Sequence, residues 1–271
     1  MASSPLTLQA VVVDWAGTII DHGSRAPVEA FREIFRRRGV EISVDEARGP
    51  MGKENRDHIV ALLAVPRIAQ AWRQAHGHDA GDAEIDELYH EFLPVQSELL
   101  PQHADVIPGA IAALAECRRR GLRVGSSSGY AAPLMERLVP LAKQSDLHVD
   151  SVVSATEVAA GRPAPWMIFK NMERLGVYPP AAVVVVDDTT VGVGAGVNAG
   201  AWSIGLIETG NLFGLSAAEL AELSPAERER RRHAGSEAML AAGAHYAIKS
   251  IADLPHTLAA IAERLARGER P

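Results

Sequence analysis

The stretch Leu8-Gln9-Ala10-Val11-Val12-Val13-Asp14-Trp15-Ala16-Gly17-Thr18 decides how the rest of the chain is read. From Leu8 to Val13 it is nearly continuous in apolar residues and rich in valine, the pattern of a strand covered on both faces, as in a parallel sheet. The run breaks at an aspartate followed by Ala-Gly-Thr, which sets a carboxylate at the C-terminal end of a buried strand, where open α/β sheets hold ligands. Comparable runs recur at Leu122–Ser126, Val149–Ser154, Ala182–Val186 and Trp202–Ile207, and His245–Ile248 reads as a sixth, edge strand. Helical patterns alternate with them: Pro108 to Arg120 and Pro163 to Leu175 each open on proline and close on glycine, at Gly121 and Gly176. The alternation predicts a doubly wound parallel α/β sheet with helices on both faces.

Residues 22–100 interrupt this alternation with amphipathic helices and no convincing strand. Val28, Phe31 and Phe35 share one helical face, as do Ile85, Leu88, Tyr89 and Phe92, and Ser43 with Glu46 reads as a capping box. The predicted organisation is therefore an α/β core of residues 1–21 and 101–271 carrying an inserted all-helical cap domain of residues 22–100. A chain of 271 residues is long enough for one core plus such an insert. With 47% apolar and 23% charged residues it has the composition of a soluble globular protein.

A net charge of -7 disfavours nucleic acid as a partner and leaves room for a local pocket that binds a small anion. Cys117 is the single cysteine, so no intramolecular disulfide can form, and its helical spacing after Ile111 and Leu114 marks it as packing. The N-terminus shows no basic segment, and the run from Ala10 to Val13 is too short for a signal peptide or a membrane span; the expectation is a cytoplasmic protein with no membrane partner. The charge run Glu227 to Arg232 reads as a solvated helix face. His76, His78 and His90 lack the tight spacing of a zinc site. The glycines between Gly192 and Gly200 do not fit a dinucleotide fingerprint and read as close helix packing.

Three chemistry-bearing features fall at the ends of different predicted strands: Asp14, the loop Ser126-Ser127-Ser128-Gly129-Tyr130, and Asp187-Asp188-Thr189. Arg162 follows a fourth. A lone strand-end aspartate is commonly structural. Asp14 together with Asp187 and Asp188, however, can form the oxygen-rich pocket that a hard cation such as Mg2+ prefers. Such a set suits chemistry on phosphorus. A carboxylate can attack phosphorus and form an aspartyl phosphate, while Mg2+ and a cationic side chain offset the charge that would repel the nucleophile. Arg162 would be that cation, with donors from Ser128 and Gly129 holding the remaining oxygens.

Taken in this order, the motifs resemble the haloacid dehalogenase superfamily, and within it most closely the phosphonoacetaldehyde hydrolase (phosphonatase) family. The closer resemblance rests on Asp14-Trp15-Ala16-Gly17-Thr18, Gly49-Pro50-Met51-Gly52 with Asp57-His58, Ser128-Gly129-Tyr130, Gly161-Arg162-Pro163 and Asp187-Asp188-Thr189. It extends to Gly176-Val177-Tyr178-Pro179 and to the segment from Asn211 to Leu215. The resemblance implies a Rossmann-like core under a cap that closes over it, a homodimer, Mg2+ as cofactor and a small-molecule phosphonate as substrate. It further implies Asp14 as nucleophile, Asp188 and the Ala16 carbonyl as additional metal ligands, Ser128 and Arg162 as phosphonate binders, and Met51, His58 and Tyr130 as lining of the catalytic pocket. Where the family often carries a further acidic residue this chain has Gly192, so Asp187 is expected to take over part of metal binding or its support.

Phosphatases of the superfamily carry a second aspartate two residues after the nucleophile, which protonates a departing alkoxide. Here that residue is Ala16, which cannot, so the leaving group must need no proton from that position, as with carbon or halide. The family stabilises its carbon leaving group through an imine on a cap lysine four residues after the methionine, where this chain has Asn55. Lys53 is the only lysine of the predicted cap. In a regular helix it would be rotated from position 55 by about 200°, unless the helix start is altered beside Gly52. His58 keeps the family spacing from Met51. The leading expectation is Mg2+-dependent hydrolysis of phosphonoacetaldehyde to acetaldehyde and phosphate. Its alternatives are a divergent hydrolase acting on another phosphonate or phosphoryl substrate without an imine, halide displacement by Asp14, and a catalytically impaired phosphonate-binding protein. Asn55 favours the last of these, and Asp14 with Asp188 opposes it.

Overall fold

In a computed structural model describing residues 6–271, successive residues of β1 (Ala10–Val13) feed opposite faces of a sheet. Val11 and Val13 enter one apolar cluster while Ala10 and Val12 enter another, the period-2 alternation of a strand buried on both sides. The remaining strands are β2 (Arg123–Ser128), β3 (Ser151–Ser154), β4 (Val183–Asp187), β5 (Trp202–Leu206) and β6 (Tyr246–Ile248). All pairings are parallel, in the order β3-β2-β1-β4-β5-β6. The order reverses at β1, which opens a crevice beyond its C-terminal end. Register decides what meets there. Val13 pairs with Ser126 of β2 and with Val186 of β4, so one step further Asp14 comes level with Ser127 and Asp187.

Five helices follow β1: α1 (Arg25–Arg37), α2 (Val44–Arg48), α3 (Asn55–Leu63), α4 (Pro66–His76) and α5 (Asp82–His103). They close around their own apolar centre, in which Phe31, Phe35, Leu62, Trp72 and Phe92 are buried, and this forms the inserted all-helical cap. Ser43 and Glu46 make the expected capping box. The other helices flank the sheet: α6 (Ala110–Arg119), α7 (Ala132–Gln144), α8 (Trp166–Leu175), α9 (Thr190–Asn198), α10 (Ala217–Glu222), α11 (Pro225–Ala241) and α12 (Leu254–Ala266). Leu114 of α6, Leu138 of α7 and Ile261 of α12 cover one face, and Ile168 and Met172 of α8 the other. Cys117 is buried among the first set. Among the described residues no helix is long and apolar enough to cross a membrane.

Several expectations are corrected. β2 runs on to Ser128, whose partner is Ser154, so most of the expected serine loop is strand; serine carries no apolar signal that would have shown this. Neither Pro108 nor Pro163 opens its helix. Gly109, at φ 89, stands between Pro108 and α6, and α8 begins at Trp166. The glycine stops do hold, with Gly121 at φ 78 and Gly176 at φ 62. The run Glu227 to Arg232 is not wholly solvated: Arg228 and Arg232 both donate to the buried carboxylate of Glu208, which ties α11 to the end of β5. Close packing of the glycine-rich helix stands, since a Cβ on Gly196 would lie 2.3 Å from Ser203 Oγ.

The expected cap boundary at residue 100 falls inside α5, which ends at His103. Residues 1–5 of the expected core lie outside the described residues. His103 stands where the two cap connections meet, its Nδ1 3.4 Å from Asp21 and its Nε2 3.3 Å from Glu29. The hydrogen bond to Asp21 and the two negative charges raise its pKa. A raised histidine pKa stabilises the fold fully below the unfolded value of about 6.5, and the contribution fades as pH rises through the folded value. Thermal melts of His103→Gln against the parent should therefore differ by about 1–2 kcal/mol near pH 6 and converge towards pH 9.

Candidate active site

β1 delivers Asp14 into the crevice with its N–H still bonded to Val186 O at 2.9 Å. The chain then tightens around the Trp15 carbonyl, which accepts from the N–H groups of Thr18, Ile19 and Ile20. Gly17 is needed in this turn: its φ is 78, and a Cβ would sit 2.2 Å from Asp188 Oδ2.

Asp14, Asp187 and Asp188 are all buried, and each offers an oxygen within 4.8 Å of the others. Arg162 is the cation among them. Its Nη2 lies 2.6 Å from Asp14 Oδ1 and 3.1 Å from Asp187 Oδ2, and it donates to Ser127 O and Oγ at 2.9 and 3.0 Å. One guanidinium cannot balance three carboxylates in a dry site. Burial pushes the Asp14 carboxyl up to about 7, with Arg162 opposing the rise and Asp187 adding to it. Burial, with the charges of Asp14 and Asp187 adding to it and Arg162 opposing, raises Asp188 well above the usual carboxylate range. A divalent, oxygen-preferring cation would remove this surplus of negative charge, so the donor set fits Mg2+.

The acidic pair after β4 is held asymmetrically. Asp188 Oδ2 accepts from Asn211 N at 2.8 Å. Asp187 Oδ1 accepts from Thr189 N and Oγ1, and its Oδ2 faces Arg162, so both of its oxygens are engaged. A Cβ on Gly192 would fall 1.9 Å from Asp187 Cγ. The Asp187 carboxylate thus fills the volume a side chain at position 192 would take. Alanine in a helix interior normally gains about 1 kcal/mol over glycine. Here overpacking reverses the sign, and Gly192→Ala should lower stability by about 1–3 kcal/mol in a denaturant melt.

The cap reaches the site through the segment Met51-Gly52-Lys53-Glu54. Gly52, at φ 90, lies so close to the core that a Cβ would be 2.3 Å from Thr189 Oγ1, and a Cβ on Gly129 would be 2.8 Å from the Lys53 carbonyl oxygen. The cap is therefore seated on the loops after β2 and β4. Arg48 adds bonds to Gly23 O at 2.8 Å and Gly214 O at 2.9 Å. Helix α3 begins only at Asn55, capped by the Glu54 carboxylate on the N–H groups of Arg56 and Asp57. Lys53 precedes the helix, so a helical rotation between positions 53 and 55 does not apply, and both residues line one cavity.

That cavity lies between cap and core, with about 390 Å³ of empty space that includes open solvent at its mouth. Asp14, Ala16 and Asp188 line it from the core, with Ser128, Gly129, Tyr130 and Arg162. Met51, Lys53, Asn55 and His58 line it from the cap, and Asp187 lies beside it in the acidic cluster. His58 is packed as well as poised at the cavity: its ring stacks on Phe31 at 3.8 Å and its Nε2 is 2.9 Å from Ala47 O. A carbonyl only accepts, so Nε2 carries the proton and Nδ1 is the acceptor. Burial holds its pKa near 3, so the ring is neutral. Ser24 also lines the cavity, from a left-handed backbone position at φ 49 that no spacing in the sequence marks. So does Phe31, whose periodicity shows only a core face.

A family model for haloacid dehalogenase-like hydrolases matches residues 8–200. The phosphonoacetaldehyde hydrolase of Paraburkholderia phytofirmans is 44% identical over 264 residues, 97% of this chain and 99% of that protein. The phosphonoacetaldehyde hydrolase of Bordetella avium is 45% identical over 271 residues, 100% of this chain and 97% of that protein. Among solved structures, a phosphonoacetaldehyde hydrolase like protein from Oleispira antarctica superposes with a TM-score of 0.96 at 37% identity, covering 100% of both chains. The chain therefore belongs to the haloacid dehalogenase-like hydrolases, as an enzyme of their phosphonoacetaldehyde hydrolase-like branch.

Proposed function

We propose that this enzyme cleaves the carbon–phosphorus bond of a small phosphonate, converting phosphonoacetaldehyde and water to acetaldehyde and phosphate. The observation that carries this reading is the buried Asp14 carboxylate, 2.6 Å from Arg162 and clustered with Asp188, while Ala16 stands where an alkoxide leaving group would need an acid. Asp14 attacks phosphorus, and Arg162 with Ser128 and Gly129 binds the phosphonate oxygens. Asp14, the Ala16 carbonyl and Asp188 would hold Mg2+, with Asp187 supporting them. When bound, the ion supplies the positive charge that lets a carboxylate approach an anionic substrate.

The alanine at position 16 gives no proton, so the carbon fragment must leave as a stabilised carbanion. Met51 and Tyr130 shape the dry wall around it, and His58 enters as a neutral hydrogen-bond acceptor at Nδ1. Among the described residues Lys53 is the one lysine lining the cavity, so any imine with the substrate would form there. The reading is completed by a cap of residues 22–100, its last helix α5 running on to His103, that closes over a core of 1–21 and 101–271, with a homodimer and a cytoplasmic setting. Relatives bearing the name phosphonoacetaldehyde hydrolase over nearly their full length support C–P cleavage over a phosphate ester, halide displacement or binding without turnover.

The test is an assay of both products from phosphonoacetaldehyde, with Mg2+, after chelation and after Mg2+ is restored. Equal amounts of acetaldehyde and phosphate, lost on chelation and regained with Mg2+, are expected. Neither product, or faster hydrolysis of a phosphate monoester, would overturn the proposal.

A further inference from the structure

Asn55 lines the cavity and carries an amide donor for which the described residues offer no acceptor. The residue is 4% exposed and lines the cavity that Asp14 and Arg162 also line, yet its Nδ2 is buried without a hydrogen-bond partner among the described residues. Buried amide donors are almost always satisfied, so one left open at a binding cavity is completed by a ligand acceptor. The cap fixes where this donor sits: α3 starts at Asn55, capped by Glu54, and the Lys53 carbonyl before it packs against Gly129 of the phosphonate-binding loop.

We infer that Asn55 Nδ2–H donates to the carbonyl oxygen of the substrate's leaving fragment and stabilises the enolate that C–P cleavage generates. This rests on the reaction proposed above. As the Asp14 Oδ–P bond forms and the C–P bond breaks, the bonding pair passes into the adjacent carbonyl, and the negative charge collects on the oxygen that Asn55 holds. Water protonates the enolate carbon to give the aldehyde, and a second water attacks phosphorus, releasing phosphate and restoring Asp14; the proton one water gives up replaces the one the enolate takes. No imine is needed. The substrate class is therefore a phosphonate with a carbonyl next to the phosphorus-bearing carbon, and phosphonates without one, such as 2-aminoethylphosphonate and methylphosphonate, are not cleaved.

The test combines borohydride with two substitutions, Asn55→Leu and Asn55→Ala, neither of which carries a donor. Parent enzyme treated with borohydride in the presence of phosphonoacetaldehyde, freed of reagent and assayed with fresh substrate, should keep its activity, with no adduct on Lys53 in peptide mass maps. Both variants should lose about 10²–10³-fold in kcat. Binding of orthovanadate, measured by calorimetry, should report an intact phosphonate pocket in at least one of them. Inactivation by borohydride with an adduct on Lys53, or kcat unchanged in a folded variant, would overturn the role of Asn55 alone. A parent enzyme that binds orthovanadate but releases no phosphate from phosphonoacetaldehyde would overturn the proposed reaction, and this step with it.

Discussion

Asp14→Asn is expected to reduce phosphate release from phosphonoacetaldehyde by about 10⁴-fold or more, because an amide cannot supply the nucleophilic oxygen. The size of the loss follows from the geometry. Asp14 is the carboxylate that β1 extends into the crevice, and Ala16 leaves no second acid in that loop to act in its place. The fold should not suffer. Three buried carboxylates share one guanidinium, and burial already pushes Asp14 up to about 7, so a neutral residue of the same shape relieves repulsion. Thermal melts should show an unchanged or higher Tm, and calorimetric titration should show a phosphonate bound at least as tightly. Loss of turnover with stability and binding retained separates a reacting residue from a structural one.

Arg162→Met should reverse that pattern. The substitution keeps much of the buried stem and removes the cation from Asp14 and Asp187, together with the bonds to Ser127 O and Oγ. Stranding buried charges without a partner costs about 3–5 kcal/mol. For a chain of this size that is a fall in Tm on the order of 10 °C. Added Mg2+ should restore part of the loss, since it answers the same excess of negative charge, and the melt should be run with the ion and with a chelator. Activity should fall about 10²–10³-fold even with saturating Mg2+, because a charge aimed at the phosphonate oxygens is gone. Arg162→Lys should recover stability better than activity, as an ammonium keeps the charge that Nη2 brings to Asp14, Asp187 and Ser127 but lacks the guanidinium's further N–H groups for the phosphonate.

The sheet is legible because valine runs ending in polar residues carry their own signature, and β1, β4 and β5 lie within a residue or two of the positions read from it. Parallel register then does what no single run declares, bringing Asp14 level with Ser127 and Asp187. Failures occur where the deciding contact is distant in sequence. Gly109 displaces the start of α6 from Pro108, and β2 continues through serines that look like a loop. Glu208 recruits Arg228 and Arg232 from a face that reads as solvent-exposed. The cap segment shows the same limit. Position 55 is legible as a departure from the resemblance, but the unpartnered Nδ2, and a helix that starts after Lys53, depend on the cap packing against Gly129 and Thr189. Asp187 filling the space beside Gly192 likewise needs β4 and α9 in place together.

Acid quenching within the first turnover of phosphonoacetaldehyde, followed by peptide mass mapping, is the most direct measurement of the nucleophile. A phosphoryl group on the peptide containing Asp14, appearing before free phosphate accumulates and absent from Asp14→Asn, is the expected result. Release of acetaldehyde and phosphate with no phosphorylated peptide, or with the phosphoryl group on another residue, would contradict attack by Asp14 on phosphorus.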